Sequence, residues 1–600
     1  MSAYLSKSDF KIARDCITKL YYKKMRYPSS TDTDPFMQLL AEGGYMVGKL
    51  AQLLYPGVMI ERMETALQET KRLLETNENI CIHEATIESK GKLIRIDILN
   101  KKGKLLELIE VKAKSWNSDE YDFGNKQIIT KFQEQLEDVA FQYYVLTETF
   151  PDYIVKPYLF LPDKAKRTNI EGLNSQFMIR PLPETAGGFK GYDVEFTGDI
   201  DALRKDDIMT LVDVEKPVLG MMIEITSAAK EFLETLTPTL IRKQKIISID
   251  CKDCEYRLTG ASAKNGFAEC WGEMAETARH ILDLTQLGNI NRTVKNRINE
   301  LILEGKSSYK DLDAESFKDK YNNRPYYQVT LDEELLIDSL FDEINFKYPI
   351  CFIDFECSRM ALPYHKGMRP YENIAFQWSC HTIDKPGADP VHTDWINTAD
   401  GFPNFAFAES LMNQIKDAGT VLIWTSYENT ILKDIHEQME IYGYHNPSLK
   451  NWLECFVKFD KDDNCGYIDL ARLCNQYYHH PLCNGKYSIK YVLPAVLNET
   501  NSLHIASWLE QINLLRKDPE DRILNPYDSL PEIIVGTSTT VNDGTGAIRA
   551  YQDMLYGLHK NDPAIKSQWE KALREYCRLD TLAMLIIWEY WKIKGVSRMS

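Results

Sequence analysis

Apolar and polar residues recur along this chain in blocks that lay out its elements. From Ser6 to Lys24 and from Pro35 to Leu54 the apolar residues return every three or four positions, the spacing of one helical face. Between 80 and 112 the rhythm shortens to two and predicts strands. Lys131 to Thr147 is helical again, 152–200 is mixed with a β bias, and 218–243 reads as helix. A cysteine-bearing loop at 251–270 follows. Short amphipathic segments over 276–345 read as a helical connector, and at Tyr348 the strand YPICFIDFE opens a second α/β region. No internal repeat is visible. The expectation is an α/β, multi-domain chain divided into 1–275, 276–345 and 346–600.

Six hundred residues exceed what one core supports, so more than one domain is required. At 44% hydrophobic and 26% charged, the composition is that of a globular protein. No apolar run reaches the length of a membrane span, and MSAYLSKSDFKIARDC lacks a signal-peptide core. These features predict a cytoplasmic protein with no membrane partner. A net charge of −17 excludes a surface coated for phosphate binding, so contact with nucleic acid is expected to be local and salt-sensitive. In a reducing compartment the thirteen cysteines are expected to be free, metal-bound or cluster-bound.

The segment KLIRIDILNKKGKLLELIEVKAK (92–114) carries the first candidate chemistry. Glu110 and Lys112 are two apart on a strand and share a face, and a hairpin through Lys101-Lys102-Gly103 brings Asp97 beside them. Two carboxylates with a lysine can hold Mg²⁺ or Mn²⁺, orient water and meet developing charge. The plain alternative is a hairpin of solvated charges. Against it, Asp97 stands between Ile96 and Ile98, and Glu110 between Ile109 and Val111. A charge inside an apolar strand needs a compensating partner.

Cys251 and Cys254 form a C-x-x-C, Cys270 follows, and Cys16 lies near the start of the chain. Four thiolates from such segments suit a [4Fe–4S] cluster, with structural zinc and unligated thiols as the alternatives. The order Cys16, Glu84, Asp97, Glu110-Val-Lys112, Cys251, Cys254, Cys270 resembles the RecB-like PD-(D/E)XK nucleases closed by an iron–sulfur staple, such as AddB and the CRISPR-adaptation RecB-like nucleases. The resemblance covers about residues 1–275. It implies a restriction-endonuclease-like domain with Asp97 and Glu110 as metal ligands, Lys112 as catalytic lysine and Glu84 in support. The family's helical Gln falls on Gln142 or, as the alternative, Gln135. One departure stands out: where the family often carries a His ligand this chain has Gly48, for which Glu42 is a candidate substitute.

A second acidic set lies downstream. Asp354 and Glu356 in CFIDFECSR share a strand face, Glu428 follows a strand-like run, Asp469 lies in GYIDLARL, and Tyr576 and Asp580 are one helical turn apart. Such carboxylates can seat two divalent ions roughly 4 Å apart, and a phenol beside them can position water. The alternative for FIDFE is an ordinary buried strand, and for Asp469 a helix cap. The ordered set resembles the DnaQ-like DEDD exonucleases of the ribonuclease-H-like fold, in the subclass with Tyr in its last motif. That implies Asp354, Glu356 and Asp580 as ligands, Glu428 as an outer ligand where the family has Asp, and Tyr576 as water-positioner. The whole chain resembles a bacterial family that fuses these two nuclease domains. The resemblance implies a nuclease acting on DNA, on single strands or ends, in DNA repair or antiviral defence. RNA is the alternative substrate, an inactive nucleic-acid-binding scaffold is the alternative role, and a helicase or defence-system partner is left open.

Cys465, Cys474 and Cys483 with His479 and His480 do not match a zinc spacing and are expected to be structural or unligated. Tyr477, Tyr478 and Tyr487 near Lys486 and Lys490 could stack on a single strand, although packing is the commoner fate. No Walker-type phosphate loop is present.

Overall fold

The computed structural model describes residues 4–61, 64–182, 191–258, 264–284, 292–312, 334–336, 340, 346–460, 463, 465–483, 486–499, 503–533, 539–557 and 560–599. The chain is mixed α/β and forms two compact units. The first comprises Met1–Ile246, Asp253–Gly272 and Met360–Glu372; the second comprises Ile247–Lys252, Glu273–Arg359 and Asn373–Ser600. Most of the connector expected over 276–345 lies outside the described residues, which there include a helix at Arg292–Leu303.

The first unit is built on one sheet. β1 (Leu5–Ser6), β2 (Val58–Met59), β3 (Asn79–Ser89), β4 (Lys92–Lys102), β5 (Leu105–Val111), β6 (Ile154–Pro162) and β9 (Met209–Asp213) belong to it, and β7 (Phe177–Pro181) pairs with β8 (Tyr192–Phe196) in a separate ladder. The order is β2-β3-β4-β5-β6-β9, with β1 beside β4. β3, β4 and β5 form an antiparallel meander, whereas β6 runs parallel to β5 after a crossover through helix Gln133–Thr149. That helix buries Leu136, Val139, Ala140 and Leu146 against Ile96, Leu108 and Leu159 of the sheet. Val47, Leu50 and Ala51 of helix Pro35–Leu54 join Ile98, Ile109 and Phe160 in a second cluster.

Two boundaries differ from the sequence pattern. The segment from Ser6 to Lys24 is two helices, Lys7–Asp15 and Ile17–Lys24, because Cys16 adopts an extended conformation (φ −152°, ψ 117°) between them. The segment from 218 to 243 is helical only as part of Glu215–Leu236. Thr237 precedes Pro238, and the proline ring excludes the helical conformation from the residue before it.

The second unit carries a sheet of β11 (Ile350–Ser358), β12 (Ile374–Ile383), β13 (Val391–Ile396), β14 (Thr420–Ile423) and β15 (Ile468–Asp469), in the order β13-β12-β11-β14-β15. β10 (Leu335–Leu336) and β16 (Tyr478–His479) pair apart from it. β11, β12 and β13 are antiparallel; β11, β14 and β15 are parallel. Ile353, Phe355 and Trp378 from this sheet pack with Phe407, Leu411, Ile431 and Leu453 from its helices. Helix Pro563–Met599 crosses the sheet and is pinned by polar bonds: Gln377 Nε2 donates to the Leu573 carbonyl at 3.0 Å, and the Thr581 hydroxyl lies 2.9 Å from Ser379 Oγ. No helix among the described residues is long and apolar enough to cross a membrane.

Candidate active sites

The hairpin of the first unit gathers the charged residues that the sequence singled out. The register pairs Ile98 with Ile109, which sets Asp97 opposite Glu110, and the Val111 amide donates to Asp97 Oδ2 at 2.8 Å. In β3, Glu84 takes a positive φ of 59°, uncommon for a residue with a side chain. The alternation slips there: Ile82 and Ala85, three apart, enter the same core, as do Ile96 and Leu99 around Asp97. The slip lets acidic side chains interrupt two otherwise apolar strands.

Glu110 is 1% exposed and accepts from three side chains. Lys7 Nζ reaches both of its oxygens at 2.7 and 3.0 Å, Lys112 Nζ lies 2.9 Å from Oε1, and Gln142 Nε2 donates to Oε2 at 2.7 Å. Lys112 also pairs with the buried Asp138 at 2.7 Å. Burial alone would raise the Glu110 carboxyl, but the ammoniums of Lys112 and Lys7 overcome it and hold the group well below the usual range. Asp97, with no ion pair among the described residues, is pushed up to about 7 by burial and then by the Glu110 charge. The pair therefore shares one proton unequally. Glu84 pairs with Arg95 at 2.7 Å.

Asp97, Glu84 and Arg95 line a cavity of about 700 Å³ with Tyr45, Gly48 and Lys49 of helix Pro35–Leu54. A Cβ built on Gly48 meets nothing within 4 Å. The position where the resembling family carries histidine is open space on the cavity wall, and Glu42 does not line that cavity. Gln142, not Gln135, reaches Glu110; Gln135 instead accepts from Lys114 at 3.1 Å.

Around the cysteines, Asp253–Gly272 packs against the helix pair that flanks Cys16. The Tyr22 hydroxyl is 3.1 Å from Cys270 Sγ, Lys19 pairs with Glu255, and Arg242 lies 3.7 Å from the same sulfur. Cys254 and Cys270 belong to the first unit; Cys251 falls in Ile247–Lys252, grouped with the second. None of the thirteen cysteines is in a disulfide. Among the described residues the sulfurs of Cys16, Cys254 and Cys270 do not form a group lying within 4.8 Å of one another.

In the second unit Asp354, Glu356 and Cys577 present ligand atoms within 4.8 Å of one another, the one such group of three among the described residues. Cys577 Sγ is 3.6 Å from Asp354 Oδ2. Glu428 is 3% exposed, and its Oε2 has no hydrogen-bond partner among the described residues. Asp580 accepts from the buried Tyr527 hydroxyl at 2.5 Å and is hydrogen-bonded by Tyr576 as well. Burial and mutual repulsion push Asp354, Glu356 and Glu428 well above the carboxylate range. Burial also raises Asp580, but Tyr527 and Lys490 hold it to about 6. Three buried acids, Glu356, Glu428 and Asp580, and the half-buried Asp354 thus face each other, and Lys490 is a cation felt by Asp354, Glu356 and Asp580.

Glu428 is placed by a strained turn. Thr425, after β14, has a φ of 95°, which a β-branched residue rarely adopts, and its amide donates to Asp469 Oδ1 at 3.2 Å. Asp469 also caps the helix Leu470–Tyr477 through the Arg472 amide at 3.0 Å, so it performs the capping role. Tyr477 and Tyr478 are buried and cannot stack on a strand; Tyr487 is half-buried. Cys474 and Cys483 are buried as well, and His480 lies 3.2 Å from Glu499.

The sequence pattern did not point to Lys7, Asp138, Tyr527 or Cys577, and it offered Lys490 only as a possible stacking partner. Residues 351–488 match a family described as a domain of unknown function, DUF2779. No curated protein matches the chain.

Proposed function

We propose that this chain is a metal-dependent nuclease that hydrolyses phosphodiester bonds of DNA at single strands or ends. The observation that carries this reading is the convergence of the half-buried Asp354 with the buried Glu356, Glu428 and Asp580, short of positive charge. Burying like charges together is unfavourable unless a cation joins them. Glu428 Oε2, without a hydrogen-bond partner among the described residues, and the carboxylate oxygens of Asp354 and Glu356 fit Mg²⁺ or Mn²⁺, with the Cys577 sulfur beside them. Bound there, a divalent ion supplies charge neutralisation and a more acidic water.

The residues of the chain supply the rest. Asp354, Glu356 and Asp580 would hold the ion, Glu428 would stand as the outer acid, and Tyr576 would orient the attacking water from beside Asp580. The strand order, three antiparallel strands followed by two parallel ones, supports a ribonuclease-H-like exonuclease of the DEDD type. In the first unit, the meander bearing Asp97, Glu110 and Lys112, with Gln142 on the crossover helix, supports a RecB-like PD-(D/E)XK site. There Lys112 would orient water. Glu110 fits a metal less well, since Lys7, Lys112 and Gln142 already occupy its oxygens. That observation, with Gly48, favours nucleic-acid binding without cleavage as a second reading for this unit. Cys16, Cys254 and Cys270 are proposed to hold a structural [4Fe–4S] cluster, with Cys251 as fourth ligand by sequence. A role in DNA repair or defence follows from the resemblance, and a helicase or defence-system partner is left open.

The deciding experiment digests 5′- and 3′-labelled single- and double-stranded DNA and RNA with Mg²⁺, Mn²⁺ or chelator. Asp354→Asn should abolish trimming of 3′ ends, and Asp97→Asn should remove any remaining cleavage. A pure protein that cuts none of these substrates with either metal would refute the proposal.

A further inference from the structure

Lys490 differs from Lys7 and Lys112 in that, among the described residues, it touches none of the acids it faces. It lies at the start of helix Ile489–Glu499, and its Nζ donates to the Asn542 carbonyl at 2.9 Å. The same atom sits 5.3 Å from the ring centroid of Tyr527 and 5.4 Å from that of Tyr576. Those rings are themselves paired, with centroids 6.4 Å apart, and both tyrosines are buried. The ammonium is thus held over two aromatic faces, an arrangement that favours a cation and fixes its position.

Its charge reaches Asp354, Glu356 and Asp580, yet no carboxylate of the four-acid cluster comes within ion-pair distance of it among the described residues. An ammonium has three donors, and Asn542 takes one. A lysine whose task was to neutralise the acids would close onto one of them, as Lys7 and Lys112 do at Glu110. Lys490 instead leaves a gap between two remaining donors and a set of acids that calls for a cation. An anion bound to that cation would meet the lysine from the other side. A phosphodiester is such an anion, and a lysine recognises it as a point charge.

We propose that Lys490 binds the phosphate of a nucleic-acid strand in the four-acid site, with Tyr527 and Tyr576 as its fixed seat. The assignment rests on the nuclease reading above and adds a substrate contact to it. By contacting the reacting phosphate, Lys490 is a catalytic residue. Tyr527, which acts through Asp580 and Lys490, is a positioning residue.

The test uses the full chain with the hairpin site silenced by Asp97→Asn, comparing Lys490→Met and Lys490→Arg with that parent. Calorimetry measures Mn²⁺ affinity. Fluorescence anisotropy in Ca²⁺ measures binding of labelled single-stranded DNA and of the matching RNA, and cleavage is followed in Mn²⁺. Lys490→Met is expected to lower kcat/KM about tenfold or more and to weaken strand binding, reducing its salt slope by about one. Mn²⁺ affinity is expected to hold or rise, because a positive charge has left the neighbourhood of four acids. Lys490→Arg should recover most of the strand binding. A lysine that merely holds the acids in place gives the opposite result: Mn²⁺ affinity and thermal midpoint fall while strand affinity stays, which overturns the proposal. A parent that binds and cuts, with Lys490→Met indistinguishable from it, overturns the lysine's role alone. A parent that neither binds nor cuts either strand overturns the nuclease reading beneath it.

Discussion

Removing the Lys7 ammonium should make the hairpin site a better metal site. Lys7 opens the helix Lys7–Asp15, and its Nζ contacts both oxygens of Glu110 at 2.7 and 3.0 Å. Lys112 and Gln142 contact those oxygens too, so a divalent ion gains Glu110 by displacing a donor. Lys112 is additionally anchored by Asp138 at 2.7 Å and Gln142 lies on a buried helix face, which leaves Lys7 as the donor to be displaced. A hydrogen bond to a charged group contributes about 1.5–3 kcal/mol. Sparing the ion that competition in Lys7→Met corresponds to an affinity gain of about 10- to 150-fold, at about 1.4 kcal/mol per decade. Methionine retains the apolar stem, so packing at the helix start is kept. The assay is calorimetric titration with Mn²⁺ in an Asp354→Asn, Glu356→Gln background, where the hairpin site alone should bind. Unchanged or weaker Mn²⁺ binding in Lys7→Met would show that Lys7 does not compete for Glu110, and the reasoning fails.

Gly48→His should add a ligand to the same site: the space beyond its Cβ is open and faces the cavity lined by Asp97, so Mn²⁺ affinity should rise, and thermal stability should increase slightly as a mid-helix glycine is replaced, by roughly 0.5 kcal/mol. Tyr527→Phe leaves buried Asp580 without its 2.5 Å donor, which should cost about 1–3 kcal/mol in chemical denaturation and raise the pH at which Mn²⁺ binds; an unshifted pH profile counts against the positioning role. In metal-free protein, Asp97 and Asp580 titrate near about 7 and about 6, above their unfolded value of 3.8, so the folded state holds those protons more tightly. Their contribution is present below the unfolded value and is lost as pH rises through the folded one; the melting temperature should fall between about pH 4 and 7, and adding Mn²⁺ should reverse the fall. Anaerobically purified protein should be brown, absorb near about 400 nm and contain iron rather than zinc, and Cys254→Ser should lose both colour and stability.

What the sequence made legible were the contacts encoded within a few residues. Glu110 and Lys112 are two apart on a strand, Asp354 and Glu356 likewise, and Tyr576 and Asp580 sit one helical turn apart; each relation follows from local periodicity. The slip at Glu84 and Asp97 was hidden, since no residue pattern announces a positive φ at a glutamate. Gln135 and Gln142 are seven apart and share a helix face, so helical phase could not choose between them. Their positions along the axis differ by roughly 10 Å, and the depth of Glu110 on the sheet made the choice. Lys7 lies 103 residues from Glu110, and Tyr527 lies 53 from Asp580 in a short turn without periodicity. Contacts of that kind depend on how β1 pairs with β4 and how the long helix crosses the sheet, which tertiary structure decides.

The two acidic centres differ in how they balance charge, and the difference predicts how each would respond to metal. At the hairpin, Asp97, Glu110, Glu84 and Asp138 are met by Lys7, Lys112 and Arg95, so the centre is near neutral before any ion arrives. In the second unit four acids face a lysine that, among the described residues, contacts none of them, and their carboxyls rise together because burial and mutual repulsion outweigh what Lys490 and the nearby hydrogen bonds supply. An ion entering the second centre relieves repulsion, whereas at the first it must break an existing pair. The acid-rich centre should therefore fill at the lower metal concentration. Mn²⁺ titrations of Asp97→Asn and of Asp354→Asn, each measuring the site left intact, should differ in midpoint by at least the factor that Lys7→Met restores. If the hairpin centre fills first, its lysines stabilise the acids without obstructing the ion, and charge balance does not rank these two sites.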